Sequence, residues 1–229
     1  MARPSNHSNH FQSTVGSKVV MALSGLGLVI YVIFHMLGNL QVFEGSHALN
    51  GYAAFLRDMP ILLWAARAGL LSIVVLHIML AIQLTLRNRR ARPVAYAVRE
   101  YRQASFASRT MATSGLVLLL FIIFHLLHLT AGVIDPSSAD RLDAEGHRDV
   151  YGKIVHAFQN PFIVALYLVG QLGLGLHLNH AVTSSLQTLG FEHAAFNRLF
   201  KAAGPTVALL VVLGNTAIIL AIFLRIVRG

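Results

Sequence analysis

Five long stretches of apolar residues, separated by short polar segments, dominate the chain. Each is long enough for a helix that crosses a bilayer, since a transmembrane helix takes about 20 predominantly apolar residues. The first is also too long for the apolar core of a signal peptide, which is about 7–15 residues. We therefore predict an all-α membrane protein with a bundle of five transmembrane helices, spanning residues 19–42, 61–86, 110–133, 161–186 and 205–226.

Composition supports this class and removes several kinds of cofactor. Apolar residues make up 55% of the 229 residues, charged residues only 12%, and the mean hydropathy is +0.64. These values are typical of a polytopic membrane protein and not of a soluble domain. The chain has no cysteine. Disulfides, cysteine-ligated iron–sulfur clusters, thiolate-ligated haem and covalently attached c-type haem are thereby excluded from this chain.

The net charge of +9 predicts membrane topology and not nucleic-acid binding, because the basic residues lie between the spans. Residues 87–109 hold seven arginines and one glutamate. The positive-inside rule places this loop, and with it the N-terminus, in the cytoplasm. Residues 1–16 form a flexible polar tail, and residues 17–229 a single domain. We expect a multi-pass protein of the inner (cytoplasmic) membrane.

The fourth span carries a face of small residues around one imidazole. Gly170, Gly173, His177, Ala181 and Ser184 recur at spacings of three and four, so they share one side of a helix. Small residues let either a neighbouring helix or a flat cofactor approach the backbone closely. Between the third and fourth spans, residues 147–158 are predicted to form a short interfacial helix. Spans one and two weakly resemble spans three and four, because each half of the chain carries one histidine at the outer level and one at the inner level.

Four spans each contain a histidine deep in the membrane, at two matched depths. With a rise of 1.5 Å per residue, His35 and His125 lie roughly 22–24 Å from the cytoplasmic ends of their spans. His77 and His177 lie roughly 14 Å from the cytoplasmic ends of theirs. The residues therefore predict an outer pair and an inner pair.

Paired histidines at one height are the arrangement that a haem between facing helices requires. The four side chains are thus predicted iron ligands of two non-covalent b haems, roughly 10 Å apart along the membrane normal. The alternative is that they are interhelical hydrogen-bond partners or members of a proton path. His128 and His180 each follow a candidate ligand by three residues, so either would serve as the ligand instead. Otherwise they suit propionate or quinone contacts.

Motifs over nearly the whole chain resemble a known family, the five-helix dihaem cytochrome b558-type membrane anchor of succinate dehydrogenases and fumarate reductases. The motifs that carry the resemblance are FHMLGN at 34–39, VVLHIML at 74–80, NRRARPVAY at 88–96, FHLLH at 124–128, DVYGKIVHAFQNP at 149–161 and GLHLNHAVTSSLQTLG at 175–190. The resemblance implies His35 with His125 as ligands of the outer haem, and His77 with His177 as ligands of the inner haem.

The same resemblance implies partners and a reaction. The chain would dock a flavoprotein (FAD) subunit and an iron–sulfur subunit on its cytoplasmic face, with the basic loop as part of the docking surface. It would be the non-flavin subunit of a respiratory complex II and pass electrons between the iron–sulfur subunit and membrane quinone, with menaquinone favoured. No dicarboxylate or flavin site is evident in this chain. Its other expected partner is membrane lipid, and we expect no nucleic-acid partner.

The family also links a carboxylate after the first span to quinone protonation. Asp58 lies at a comparable place, and Glu44 is the other carboxylate available. A carboxylate there suits a reaction that moves protons with electrons, although an exposed loop charge is equally compatible with the sequence. Two further functions stay open: the cytochrome b subunit of a hydrogenase or formate dehydrogenase, and a haem-free proton-path or transport protein.

Overall fold

The computed structural model describes residues 13–91, 106–138, 140–191 and 197–228. These residues form an α-helical protein without a β-strand. Both the N-terminal tail, up to residue 12, and most of the basic loop, residues 92–105, lie outside the described residues. The α-helices are α1 Thr14–Asn39, α2 Ser46–Arg57, α3 Pro60–Arg90, α4 Phe106–Arg109, α5 Met111–His125, α6 Val150–Ala157, α7 Pro161–Thr188 and α8 Asn197–Phe223.

Five of the described helical segments are long and apolar enough to cross a membrane, as predicted. They cover Thr14–Glu44, Pro60–Arg90, Met111–Thr130, Pro161–Thr188 and Asn197–Phe223. Short turns lengthen two of them: a 3-10 helix, Leu40–Glu44, follows α1, and a π-helix, Leu126–Thr130, follows α5. The chain is therefore a multi-pass membrane protein by the length and composition of its helices.

The last span begins earlier than predicted. The predicted span starts at Pro205. In the structure α8 begins at Asn197 and runs through Pro205. The preceding residue, Gly204, lies against α7 so closely that a Cβ there would collide with the carbonyl oxygen of Asn179. This contact with α7 stabilises the added turns. Pro205 lies inside α8, beyond its first turn, where a proline removes a backbone hydrogen bond, so packing against α7 has to offset that cost.

The membrane helices pack in the order α3, α1, α7, α5, and α8 lies against α7 and α1. Glycines on α7 make the close contacts possible. A Cβ on Gly170 would be 2.5 Å from the ring of Phe121, and one on Gly173 would be 2.9 Å from Val117, both on α5. The small-residue face was predicted to admit either a neighbouring helix or a flat cofactor. At Gly170 and Gly173 the structure shows a neighbouring helix, α5.

One end of the bundle carries the connecting helices. We call the end at which α1 begins the proximal end and the opposite end the distal end. At the distal end lie α2, which the sequence analysis missed, and α6, which begins at Val150 inside the predicted range 147–158. Asn50 of α2 is 1% exposed and joins the two helices. Its amide donates to Asp149 Oδ1 at 3.1 Å and accepts from the Tyr151 N–H at 2.9 Å.

Candidate functional site

The proximal histidine pair consists of His77 on α3 and His177 on α7. Their ring centres lie 6.4 Å apart with the ring planes at 70°. Each Nδ1 has a serine hydroxyl as partner: Ser24 Oγ lies 3.2 Å from His77 Nδ1, and Ser114 Oγ lies 3.3 Å from His177 Nδ1. The His77 ring also lies within hydrogen-bonding range of the Met21 backbone, and no hydrogen bond to the Nε2 of His177 is found among the described residues. The Nε2 of His177 is therefore available to a ligand.

The distal histidine pair consists of His35 on α1 and His125 on α5. Their ring centres lie 5.9 Å apart at 87°. His125 Nδ1 faces the Tyr167 hydroxyl at 3.3 Å, whereas His35 Nε2 faces the Asn39 amide nitrogen at 3.2 Å. Tyr31 stacks on His35 with ring centres 5.5 Å apart. The distal pair thus differs from the proximal pair in its hydrogen-bond partners, and the Nε2 of His35 is already in contact with Asn39.

Each pair joins helices that are not neighbours in the packing order. α3 packs on α1 and α5 packs on α7, while the rings of each pair face one another across the diagonal of this four-helix arrangement. The two pairs therefore lie at two successive levels between these helices; His77, His125 and His177 are half-buried, whereas His35 is exposed. Each histidine predicted as an iron ligand thus faces the histidine that was predicted to lie at the same depth, His35 with His125 and His77 with His177.

The separations fit one metal ion between each pair. With metal–imidazole bonds of about 2 Å, as for zinc, two nitrogens on opposite sides of an ion place their ring centres roughly 6 Å apart. The observed distances of 5.9 Å and 6.4 Å agree with this value. In the described part of the chain, no group of three or more His, Cys, Asp or Glu side chains surrounds a common point. At each level, two imidazoles from two different helices would therefore be the protein groups that hold an ion.

His128 lies beside the distal pair without joining it. It sits in the π-helix directly after His125, a local widening of the helix that often occurs at functional sites. Its ring is 2% exposed, and its Nδ1 faces the Tyr167 hydroxyl at 3.1 Å. One hydroxyl therefore connects His125 and His128. His180 is half-buried on α7 and has no hydrogen-bond partner among the described residues.

The two predicted carboxylates both lie at the distal end. Asp58 is the exposed residue that ends α2, and Glu44 is the exposed last residue of the 3-10 helix after α1. Neither carboxylate forms a hydrogen bond or ion pair with the described residues. Asp58 is followed directly by an open apolar groove of about 410 Å³, lined by Met59, Pro60, Ile61, Leu62 and Ala65.

The residues that hold the histidines were not predicted from the sequence. Tyr167, Ser24 and Ser114 were not among the candidates, because a tyrosine or serine inside an apolar helix gives no signal by itself. A signal did exist for the serines. SGLGLVIYVIFH, which ends at His35, and SGLVLLLFIIFH, which ends at His125, are the same pattern in the same register.

Distal to the pairs, the segment after α5 carries charges that are outside the membrane spans. Ser137 and Ser138 donate to the Asp135 carboxylate, each at 2.6 Å, and these hydrogen bonds lower the pKa of Asp135. The Lys153 ammonium donates to the Leu129 carbonyl at 3.0 Å, near the end of the π-helix. Burial lowers the pKa of Lys153. The Lys153 hydrogen bond joins the π-helix after α5 to α6, and the Asp135 hydrogen bonds order the segment between them.

Comparison of the chain with known protein families, with characterised proteins and with solved structures found no match.

Proposed function

We propose that this chain is a dihaem cytochrome b membrane anchor of a succinate:quinone oxidoreductase. It transfers electrons between a cytoplasmic iron–sulfur subunit and a membrane quinone, with menaquinone favoured. The observation that carries the proposal is the presence of two facing histidine pairs at two levels of one membrane bundle. A single buried histidine would have many explanations, but two pairs with separations of this size have few.

Bound haem would supply a one-electron carrier at each level. The chain's own residues would do the rest. His77 and His177 would hold one iron through Nε2, and His35 and His125 the other, after Asn39 releases the His35 nitrogen. The apolar helices around the pairs exclude water, which disfavours the more highly charged oxidised form of a metal centre. Two levels of carriers span more of the membrane than one level does.

The distal end supplies the groups that a quinone reaction needs. Asp58 adjoins an open apolar groove, and its carboxylate would exchange protons with a quinone headgroup there. The distal end corresponds to the outer membrane face if the basic loop after α3 is cytoplasmic. The flavoprotein and iron–sulfur subunits would then dock at the proximal end, where that loop carries complementary positive charge.

A haem-free proton path is a second candidate, and one specific observation favours it. His125, Tyr167 and His128 form a hydrogen-bonded series within the membrane, and such a series relays protons in pumps and transporters. The cytochrome b subunit of a hydrogenase or formate dehydrogenase would use the same histidine pairs. The identity of the soluble subunits that copurify with the chain distinguishes it from the main proposal.

Haem stoichiometry tests the proposal. The chain, purified in detergent with haem supplied during expression, is assayed as a pyridine haemochrome and by a dithionite-reduced minus oxidised visible spectrum. Two b haems per chain are expected. Replacement of His77 and His177 by alanine is expected to remove one haem, and replacement of His35 and His125 the other. A colourless protein would refute the proposal and support the proton path.

A further inference from the structure

The proximal pair is held from two sides by matching serines. Ser24 reaches His77 from α1, and Ser114 reaches His177 from α5, with Oγ–Nδ1 distances of 3.2 Å and 3.3 Å. Both serines are buried, at 8% and 3% exposure. Since buried polar side chains need partners in a membrane, each serine and its histidine satisfy one another.

The direction of these hydrogen bonds follows from a second contact. Ser24 Oγ lies 3.0 Å from the Met21 carbonyl oxygen, and Ser114 Oγ lies 3.1 Å from the Met111 carbonyl oxygen. A hydroxyl has one proton, and a carbonyl only accepts, so the serine donates to its own helix. Its oxygen then accepts from the imidazole Nδ1–H. Both histidines are thereby kept in the tautomer whose Nε2 carries the lone pair.

Each serine is followed by a glycine that makes room for the same ring. A Cβ on Gly25 would lie 3.3 Å from His77 Cε1, and a Cβ on Gly115 would lie 3.6 Å from His177 Cε1. The Ser-Gly pair precedes His35 on α1 and His125 on α5 by the same number of residues. The helix that supplies a distal histidine therefore also orients a proximal histidine, once in each half of the chain.

From this geometry we infer that Ser24 and Ser114 are positioning residues that set the redox potential of a haem held by His77 and His177. The inference rests on the proposed function. An acceptor on the Nδ1–H makes the imidazole a stronger donor to iron, which favours the ferric state. The distal pair has no such serine: His125 faces a phenol, and the Nε2 of His35 faces an amide. The serines therefore act on one haem of the two.

The test is a spectroscopic redox titration of the purified complex carrying Ser24→Ala, Ser114→Ala or the conservative Ser114→Thr. Removing the hydrogen-bond partner of a metal-ligating imidazole typically changes metal affinity or activity by about tenfold or more. In the alanine variants we expect the ferrous-to-ferric ratio of one haem, at fixed potential, to rise about tenfold, which is 59 mV for one electron. The other haem keeps its potential, and Ser114→Thr restores the first.

Ser72→Ala is the matched control. Ser72 lies on α3, is exposed, and donates to the Ala68 carbonyl at 2.8 Å, but it contacts no histidine. We expect this variant to titrate as the wild type. The low-field resonance of the oxidised haem in electron paramagnetic resonance gives an independent readout, since it responds to the orientation of the axial imidazoles. The inference would also be supported if Ser114→Ala lost one haem while Ser114→Thr kept both.

Two haems with unchanged potentials and resonances in both alanine variants would overturn the inference and leave the proposed function standing. Equal shifts in Ser72→Ala, or loss of both haems in the alanine and threonine variants alike, would also overturn it, because the serines would then act only through the fold. Absence of haem from the wild type would overturn the proposed function and the inference together.

Discussion

Tyr167 offers the sharpest test of how the distal pair is held. Its side chain is 4% exposed, and its hydroxyl lies 3.3 Å from His125 Nδ1 and 3.1 Å from His128 Nδ1. The ring packs against Phe158 and Phe121 with ring centres 4.9 Å and 5.2 Å apart. Tyr167→Phe removes the hydroxyl and keeps these ring contacts. The substitution therefore isolates the hydrogen bonds.

The magnitude follows from what the missing hydroxyl leaves behind. Hydrogen bonds between membrane helices average only about 0.6 kcal/mol, because the separated helices find other partners. His128 is 2% exposed and has no other hydrogen-bond partner among the described residues, so its ring nitrogen would stay unsatisfied at a cost of about 1–3 kcal/mol. Because His128 is not one of the proposed haem ligands, this cost lowers the stability of the bundle with or without haem. The lost hydrogen bond to the ligand His125 should lower distal haem affinity by about 0.6 kcal/mol, roughly threefold, since 1.4 kcal/mol is a factor of ten.

The assay is haem content and redox titration of Tyr167→Phe beside Tyr151→Phe. Tyr151 is also buried at the distal end, and its hydroxyl donates to the Arg228 carbonyl at 2.6 Å without contacting a histidine. We expect Tyr167→Phe to weaken only the distal haem, because His77 and His177 are held by serines. Wild-type distal haem in Tyr167→Phe, or equal weakening in Tyr151→Phe, would refute the reasoning.

Three further predictions concern packing, protons and pH. Gly173→Leu should lower the thermal stability of the purified bundle by about 1–3 kcal/mol, because its Cβ would press on Val117, whereas Gly69→Leu should not, since a Cβ on Gly69 meets nothing within 4 Å. Asp58→Asn should impair quinone turnover with haem content intact, and normal turnover would discard Asp58 as the proton donor; Glu44→Gln is the parallel variant. Asp135 has a pKa below its ordinary value of 3.8, so its stabilising effect is present above that pH and is lost as the pH falls through the lowered pKa. The hydrogen-exchange protection of the segment after α5, relative to an unstructured chain at the same pH, should therefore fall in acid, and Asp135→Asn should abolish that dependence.

The membrane spans were predictable because bilayer thickness imposes a length on any helix that crosses it. The histidine pairs were predictable for a related reason, since depth along a helix is proportional to residue number and helices of like direction place residues at matching heights. His35 and His125 show this: their partnership follows from their positions within two apolar segments alone. Neither the spans nor the pairs depend on side-chain contacts that a sequence cannot show.

The features that were missed depend on local or tertiary contacts. α2 is a short helix between two spans, and Gly45 with a φ of 100° separates it from the preceding turn, so the segment resembled a loop. The start of α8 depends on the contact of Gly204 with α7. The π-helix after His125 leaves no pattern in composition. Tyr167 became part of the site only because α7 carries it to the level of His125 and His128.

The diagonal arrangement of the pairs has a consequence for biosynthesis. A ribosome delivers α1 and α3 to the membrane first, and at that stage each carries an imidazole without its partner. The distal pair is complete once α5 has been inserted, but the proximal pair has to wait for α7. Under the proposed function, the distal haem site is complete before the proximal one during chain elongation. A truncated product that ends before α7 would contain the distal pair but only one histidine of the proximal pair.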